Sequence, residues 1–118
     1  MSERVKGLYI STDGKIDRDN HKKGSRYVIG TKKQFNELLT NGKMNAKEEY
    51  LNKDYRILYN SQSKEPRNEK VNKYVENTDI CGPVIIIKKS GSLESNDHKK
   101  LQKFFKGIDW LGFDLDFG

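Results

Sequence analysis

Lysine and arginine side chains at helical spacing are the residues in this sequence best suited to chemistry. They fall in two segments predicted to be helices, one from Arg67 to about Glu76 and one beginning at Ser95 or Asn96. A row of ammonium groups along a helix can follow the phosphate backbone of a nucleic acid. The same row is often only the solvated face of an amphipathic helix, and both interpretations stay open. The candidate nucleic-acid-binding residues are Arg67, Lys70, Lys73, Lys99, Lys100, Lys103 and Lys106.

The charge of the chain is unevenly distributed. Residues 1–106 hold all 23 Lys and Arg and 14 of the 17 acids, a net charge of +9, whereas residues 107–118 hold three aspartates and no basic residue. Such an imbalance is typical of a body that attracts polyanions and a terminal segment that competes for its basic surface. Lysine outnumbers arginine 18 to 5, which favours backbone contact over base reading, because the planar arginine fork is the group that reads guanine. Codon bias in an AT-rich genome would produce the same lysine excess.

The C-terminal segment, residues 109–118, alternates apolar side chains with aspartates. Its period of two is that of a half-buried edge strand whose outward aspartates discourage aggregation. Its composition is also similar to the acidic C-terminal tips with which single-stranded-DNA-binding proteins recruit partners or cover their own basic groove. Strand and tail both remain open. The candidate protein-partner residues of a tail are Trp110, Phe113, Asp114, Asp116 and Phe117.

A second local resemblance covers the eight residues from His98 to Phe105. Leu101, Phe104 and Phe105 fit the pattern of the short peptides that dock on DNA sliding clamps, but His98 stands where those peptides have glutamine. A docking peptide needs exposed rings. Burial of each phenylalanine contributes about 1.5 to 3 kcal/mol, and a chain with 33% hydrophobic residues has few to spare. The sequence therefore favours a core role for both rings.

Enzyme signatures are mostly absent from the sequence. There is no phosphate-loop spacing, no His-Glu-x-x-His and no cysteine pair for zinc. The stretch that starts at Asp17 resembles a calcium loop, but Lys22 and Val28 stand where such a loop needs glycine and glutamate. Cys81 and His98 could form a nucleophile and base pair, yet neither has a visible orienting partner. The sequence predicts a non-enzymatic protein without a metal or another cofactor.

Local patterns predict most of the elements that would position these groups. The apolar run Val84–Ile87 lacks alternation, which is typical of a central strand covered on both faces. Thr31 and Gln34 have the form of a capping box, Phe35, Leu38 and Leu39 follow at helical spacing, and Gly42 suits the helix end. Residues 43–54 are ambiguous and allow a short helix. Strands are predicted over 5–10, 26–29, 56–59 and 84–87, and helices over 31–41, 67–76 and from 95 or 96 to about 108.

These elements predict one α+β domain over residues 1–118, with a small mixed β-sheet of about four or five strands and three amphipathic helices packed on it. A single cysteine and the lack of an apolar leader or a long apolar run favour a reducing intracellular compartment, cytoplasmic or nuclear, or a place in a virion. The leading hypothesis is a basic protein that binds the nucleic-acid backbone or another polyanion and has a C-terminal protein-interaction segment. The alternative is a structural or adaptor component of a larger assembly, without direct nucleic-acid binding.

Overall fold

The computed structural model describes residues 4–10, 25–72, 75, 79–105 and 115–116. A sheet with the strand order β3-β4-β5-β1-β2-β6 forms its centre. All pairings among the first five strands are antiparallel, whereas the two-residue β6 pairs parallel to β2. The elements are β1 Val5–Ile10, β2 Ser25–Gly30, α1 Lys32–Thr40, β3 Lys47–Tyr50, β4 Tyr55–Tyr59, α2 Glu69–Asn72, β5 Val84–Lys88, α3 Ser95–Phe104 and β6 Leu115–Asp116.

Strand β5 is central, as its apolar run predicts. It lies between β4 and β1, and all four residues from Val84 to Ile87 are buried. Successive strand side chains point to opposite faces, and here Val84 and Ile86 belong to one hydrophobic cluster while Ile85 and Ile87 belong to another. Both faces of the sheet are therefore covered.

The helices α1 and α3 cover opposite faces of the sheet. Phe35 and Leu39 of α1 pack with Ile85, whereas Leu101 of α3 packs with Ile86. Gly7 of β1 packs closely against the neighbouring strand β5, where an added Cβ would lie 2.9 Å from Cγ2 of Ile85, and it would lie 3.4 Å from Cε2 of Phe35 in α1. A side chain at that position would overpack the core, so the missing Cβ makes room chiefly for Ile85.

Both ends of α1 confirm the sequence prediction. The amide of Gln34 donates to Oγ1 of Thr31 at 3.1 Å, and the amide of Thr31 donates to Oε1 of Gln34 at 2.8 Å, which completes the capping box. The chain then turns into the left-handed region at Asn41, with φ 57°, and at Gly42, with φ 75°. Consecutive left-handed residues stop the helix.

The prediction of a small mixed sheet carrying three amphipathic helices is wrong. The sheet consists of five antiparallel strands, extended only by the two residues of β6. Of the ten residues predicted to be a helix, those described as helical are Glu69–Asn72, and Val75 lies outside any helix. Four residues cannot present an amphipathic face, so α1 and α3 are the two amphipathic helices of the described ranges.

Asparagine side chains fix the α2 segment to the chain that follows it. Nδ2 of Asn72 donates to the carbonyl oxygens of Asn68 and Ile80, both at 2.7 Å, and Oδ1 of Asn72 accepts from the amide of Ile80 at 2.9 Å. Nδ2 of Asn68 donates to the carbonyl of Gly82 at 2.9 Å. Asparagine competes with the helix for backbone partners, and here it ties the segment to residues 80–82.

The segment predicted as ambiguous or helical, residues 43–54, contains strand β3. Its residues Lys47, Glu48, Glu49 and Tyr50 pair antiparallel with β4. Three of the four are exposed, so the strand lacks the apolar alternation that a sequence pattern could detect. Its pairing with β4 supplies the hydrogen bonds that the local sequence does not specify.

The N-cap of helix α3 lies one residue before Ser95, the first of the two predicted caps. Glu94 is the N-cap, and its amide donates to Oδ2 of Asp97 at 2.9 Å. Phe105 and Leu101 are each 1% exposed, which confirms the predicted core role of Phe105, whereas Phe104 is only partly buried against the same cluster. No helix in the described part of the chain is both long and apolar enough to cross a membrane.

Candidate nucleic-acid interface

A cleft of about 660 Å³ lies where the first turn of α3 meets β1 and β2. Its volume is within the roughly 300 to 1,000 Å³ typical of ligand sites. It combines cationic, aromatic and hydrogen-bonding groups instead of a purely apolar lining. The lining residues are Lys6, Tyr27, Leu93, Glu94, Ser95, His98 and Lys99.

Backbone contacts fix the start of α3 against β1. The amide of Lys6 donates to Oγ of Ser92 at 2.7 Å, and the amide of Leu93 donates to the carbonyl of Lys6 at 3.2 Å. Leu8 lies opposite Tyr27 in the antiparallel register of β1 and β2. Since strand residues alternate between faces, Lys6, Leu8 and Tyr27 all lie on the face that α3 covers.

Tyr27 is the centre of the cleft. Its hydroxyl is hydrogen-bonded to Nδ1 of His98, and the two rings lie 5.2 Å apart between centroids at 53°. The ammonium of Lys6 stands over the same tyrosine ring, 4.7 Å from its centroid. A cation over an aromatic face is attracted by the ring quadrupole. One half-buried ring therefore contacts two groups that can carry positive charge.

A buried carboxylate anchors α3 beside this cleft. Asp97 is 3% exposed; its Oδ1 accepts from the hydroxyl of Tyr55 at 2.6 Å, and its Oδ2 accepts from Nζ of Lys88 at 3.2 Å. Burial by itself raises the pKa of Asp97, but the hydrogen bonds from Tyr55, the Glu94 amide and Lys88 outweigh it and hold that pKa below its usual value. Burial, followed by the hydrogen bond to Asp97, raises the pKa of Tyr55. The carboxylate is thus ionised and the phenol neutral at physiological pH.

Three of the predicted binding lysines form an exposed surface on α3, here called the α3 lysine surface: Lys99, Lys100 and Lys103. They fall within about 100° of arc on the helix, opposite the buried Leu101 and Phe105. Within the described ranges no acidic side chain forms an ion pair with any of the three. Lys99 belongs to this surface and also lines the cleft.

Arg67 is the other predicted binding residue whose side chain the structure describes, and it is not part of this surface. Arg67 is exposed but bound by two acids, with Nη1 3.0 Å from Glu69 and Nε 3.3 Å from Asp79. These acids, Glu69 first, raise the pKa of Arg67 above its usual value. The side chain of Lys70, as well as Lys73 and Lys106, lies outside what the structure describes. The positive charge of Arg67 is therefore already compensated by the carboxylates of Glu69 and Asp79.

The C-terminal segment is described only at Leu115 and Asp116. Their backbone pairs parallel with Val28 and Ile29 of β2. The predicted partner residues Trp110, Phe113, Asp114 and Phe117 lie outside the described residues, as does the acidic loop considered as a calcium site. The protein-interaction role of this segment stays a prediction.

Sequence reasoning missed Lys6 and Tyr27 as members of the site and considered His98 only as a base and as a position of the sliding-clamp pattern. Tyr27 and His98 are separated by 71 positions, and only the folded sheet brings them together. The available signal was the alternation in β2, which puts Tyr27 on the opposite face from Val28. That pattern does not show which helix covers the tyrosine.

Comparisons of the chain with protein-family models, with curated proteins and with solved structures give no match.

Proposed function

We propose that this protein is a non-enzymatic nucleic-acid-binding protein whose α3 lysine surface contacts the phosphate backbone. The observation that carries the proposal is the absence of ion pairs at Lys99, Lys100 and Lys103 among the described side chains, in contrast to Arg67. An ammonium group that has no protein carboxylate beside it releases a counterion when a phosphate replaces that counterion. Such contacts give affinity without sequence specificity.

The cleft residues add to the same interface. Lys6 brings one further ammonium donor to the start of α3 beside Lys99, and His98 presents an imidazole next to them. Lysine binds phosphate as a point charge without the planar geometry that reads bases. The chemistry of this surface therefore favours backbone contact, in agreement with the net charge of +6.

The test is oligonucleotide binding by fluorescence anisotropy over a range of salt concentrations. The triple variant Lys99→Gln, Lys100→Gln and Lys103→Gln should weaken binding at least about ten-fold at low salt. It should also lower the slope of log affinity against log salt by about 2, since each phosphate contact contributes about 0.7 to 0.9.

A matched control removes three other exposed lysines: Lys33, Lys43 and Lys53. It lowers the net charge by the same amount, so it should reproduce only the general electrostatic loss and leave a steeper salt slope than the α3 variant. Equal losses in both variants would contradict a localised interface. No binding by the wild-type protein at low salt would contradict the proposal itself and favour a structural role in an assembly.

A further inference from the structure

We infer that the cleft beside Tyr27 receives an unpaired base of a single-stranded nucleic acid, while the α3 lysine surface holds the neighbouring phosphates. This inference rests on the proposed function and adds the class of nucleic acid to it. The observation behind it is that an aromatic ring and two lysines meet in one cleft of about 660 Å³. Proteins that bind single strands combine these two elements, a basic track for phosphates and aromatic faces for bases.

The contact between Lys6 and Tyr27 can be exchanged for a base. An ammonium over an aromatic ring contributes about a two- to five-fold effect at an exposed site and about thirty-fold at a desolvated one, whereas stacking of a base on an aromatic side chain contributes about five-fold to more than 100-fold. A base can therefore replace Lys6 over the ring of Tyr27.

Lys99 connects the cleft to the α3 lysine surface and so defines the path of the bound strand. It lines the cleft and also belongs to the α3 lysine surface, which continues along the helix to Lys100 and Lys103. A strand whose base enters the cleft can thus have its next phosphates held along α3. A free mononucleotide would use only the cleft, so the extended surface favours a strand.

Base pairing should exclude a duplex from the cleft. Bases in a duplex are stacked within the helix, whereas the bases of single strands can be splayed out onto aromatic side chains. A duplex can still bind the lysine surface through its backbone. The two nucleic acids should therefore share the salt dependence that comes from α3 but differ in their dependence on Tyr27.

The test compares an oligothymidine of about 12 nucleotides, within the site sizes of single-strand binders, with a duplex of the same length. The variants are Tyr27→Leu, which removes the ring, and Tyr27→Phe, which keeps the ring and removes only the hydroxyl. Tyr27→Leu should weaken single-strand binding about ten-fold and leave duplex binding within about two-fold. Tyr27→Phe should keep single-strand binding near the wild-type level.

A second measurement uses the wild-type protein, because Tyr27 packs on the core and Tyr27→Leu also alters packing. An oligonucleotide carrying 5-iodouracil is crosslinked with ultraviolet light, and the modified residue is mapped by mass spectrometry. The inference expects the crosslink at Tyr27 or His98. Crosslinks confined to other residues would overturn it.

The failure of this inference differs from the failure of the proposed function. Equal affinity for both nucleic acids, with binding that is sensitive to salt but not to Tyr27→Leu, would overturn the base-binding cleft and leave the α3 backbone contact standing. Tight binding of thymidine monophosphate, equal to that of the oligothymidine, would overturn the strand in favour of a nucleotide site. No binding of any of these probes at low salt would overturn both.

Discussion

The segments 67–76 and 95–104 carry similar basic sequences but fold differently. Helix α3 spans ten residues and presents Lys99, Lys100 and Lys103 to solvent, whereas the described helix of the other segment is the single turn Glu69–Asn72. In the first, the lysines have no described ion-pair partner; in the second, Arg67 is bound by Glu69 and Asp79. A similar charge pattern thus gives an accessible basic surface in one region and a compensated arginine in the other.

The two segments differ in the hydrogen-bond partners of their polar side chains. Asp97 of α3 accepts from the amide of Glu94 and so supports the start of the helix, because a carboxylate in the first turn satisfies amides that have no helical partner. Asn72 instead bonds the backbone of Ile80 and Asn68. Charge spacing alone therefore does not identify a binding helix, and the polar residues between the charges must be considered too.

The largest effect is expected from Asn72→Ala, which removes the contacts that hold the α2 segment. The amide of Ile80 would lose its acceptor in a buried site, and two further hydrogen bonds would be lost. The free energy of unfolding should fall by about 3 kcal/mol. Urea denaturation followed by circular dichroism measures this change.

The exposed Asn45 provides the control for that measurement. Asn45→Ala should change the free energy of unfolding by less than about 0.5 kcal/mol, since exposed positions outside such networks are usually near neutral. A loss from Asn72→Ala no greater than that of the control would show that asparagine bonding does not hold the segment.

A smaller effect is expected from Asp97→Asn, which weakens the anchor of α3. The variant keeps the size of the side chain but removes the charge that faces Tyr55 and Lys88. Unfolding free energy should fall by about 2 kcal/mol near neutral pH, because a buried hydrogen-bonded charge is lost while Lys88 is partly exposed to water. Lys89→Gln, at an exposed neighbouring position, should leave stability nearly unchanged.

The effect of Asp97→Asn on stability should depend on pH. The pKa of Asp97 is lowered on folding from an unperturbed 3.8, so its ionised form stabilises the protein above that value, and this contribution is lost as the pH falls through the lower folded pKa. The stability difference between wild type and Asp97→Asn should therefore shrink as the pH is lowered from neutral through that range. Urea titrations at a series of pH values check it, and a difference that stays constant would contradict the role of the charge.

The smallest effect is expected on oligonucleotide binding, from single substitutions that compare the two basic segments directly. Lys100→Gln should weaken oligonucleotide binding about three-fold or more and lower the salt slope by about 0.7 for a single strand. Arg67→Gln should weaken it by less than about two-fold, because Glu69 and Asp79 already compensate the guanidinium. Anisotropy titrations at two salt concentrations compare the variants. An equal or greater loss from Arg67→Gln would contradict the assignment of the interface to α3.

The parts of the fold that local rules determine agree with the sequence patterns. Thr31 and Gln34 form the predicted capping box, and the apolar run Val84–Ile87 is buried on both faces. Patterns failed where the interactions lie between distant residues. Strand β3 depends on pairing with β4, and the predicted helix 67–76 is interrupted by bonds from asparagines to residues 80–82.

In the candidate site, too, some features follow from local sequence patterns and others depend on contacts between distant residues. The lysines of α3 and the buried side chains opposite them follow from helical spacing, which involves residues three or four positions apart. The cleft depends on contacts between Lys6, Tyr27 and His98, which lie on β1, β2 and α3. No local pattern specifies which strand a helix covers.

The sequence by itself determined the charge imbalance, the central strand and the ends of α1, because these depend on composition and on neighbours within one turn or one pleat. Only the tertiary structure decided which basic residues are compensated and which ring lines the cleft. Tyr55 and Asp97 are 42 positions apart, and Tyr27 and His98 are 71 positions apart. Such pairs meet only after the whole sheet has fixed the register of its strands and the position of α3.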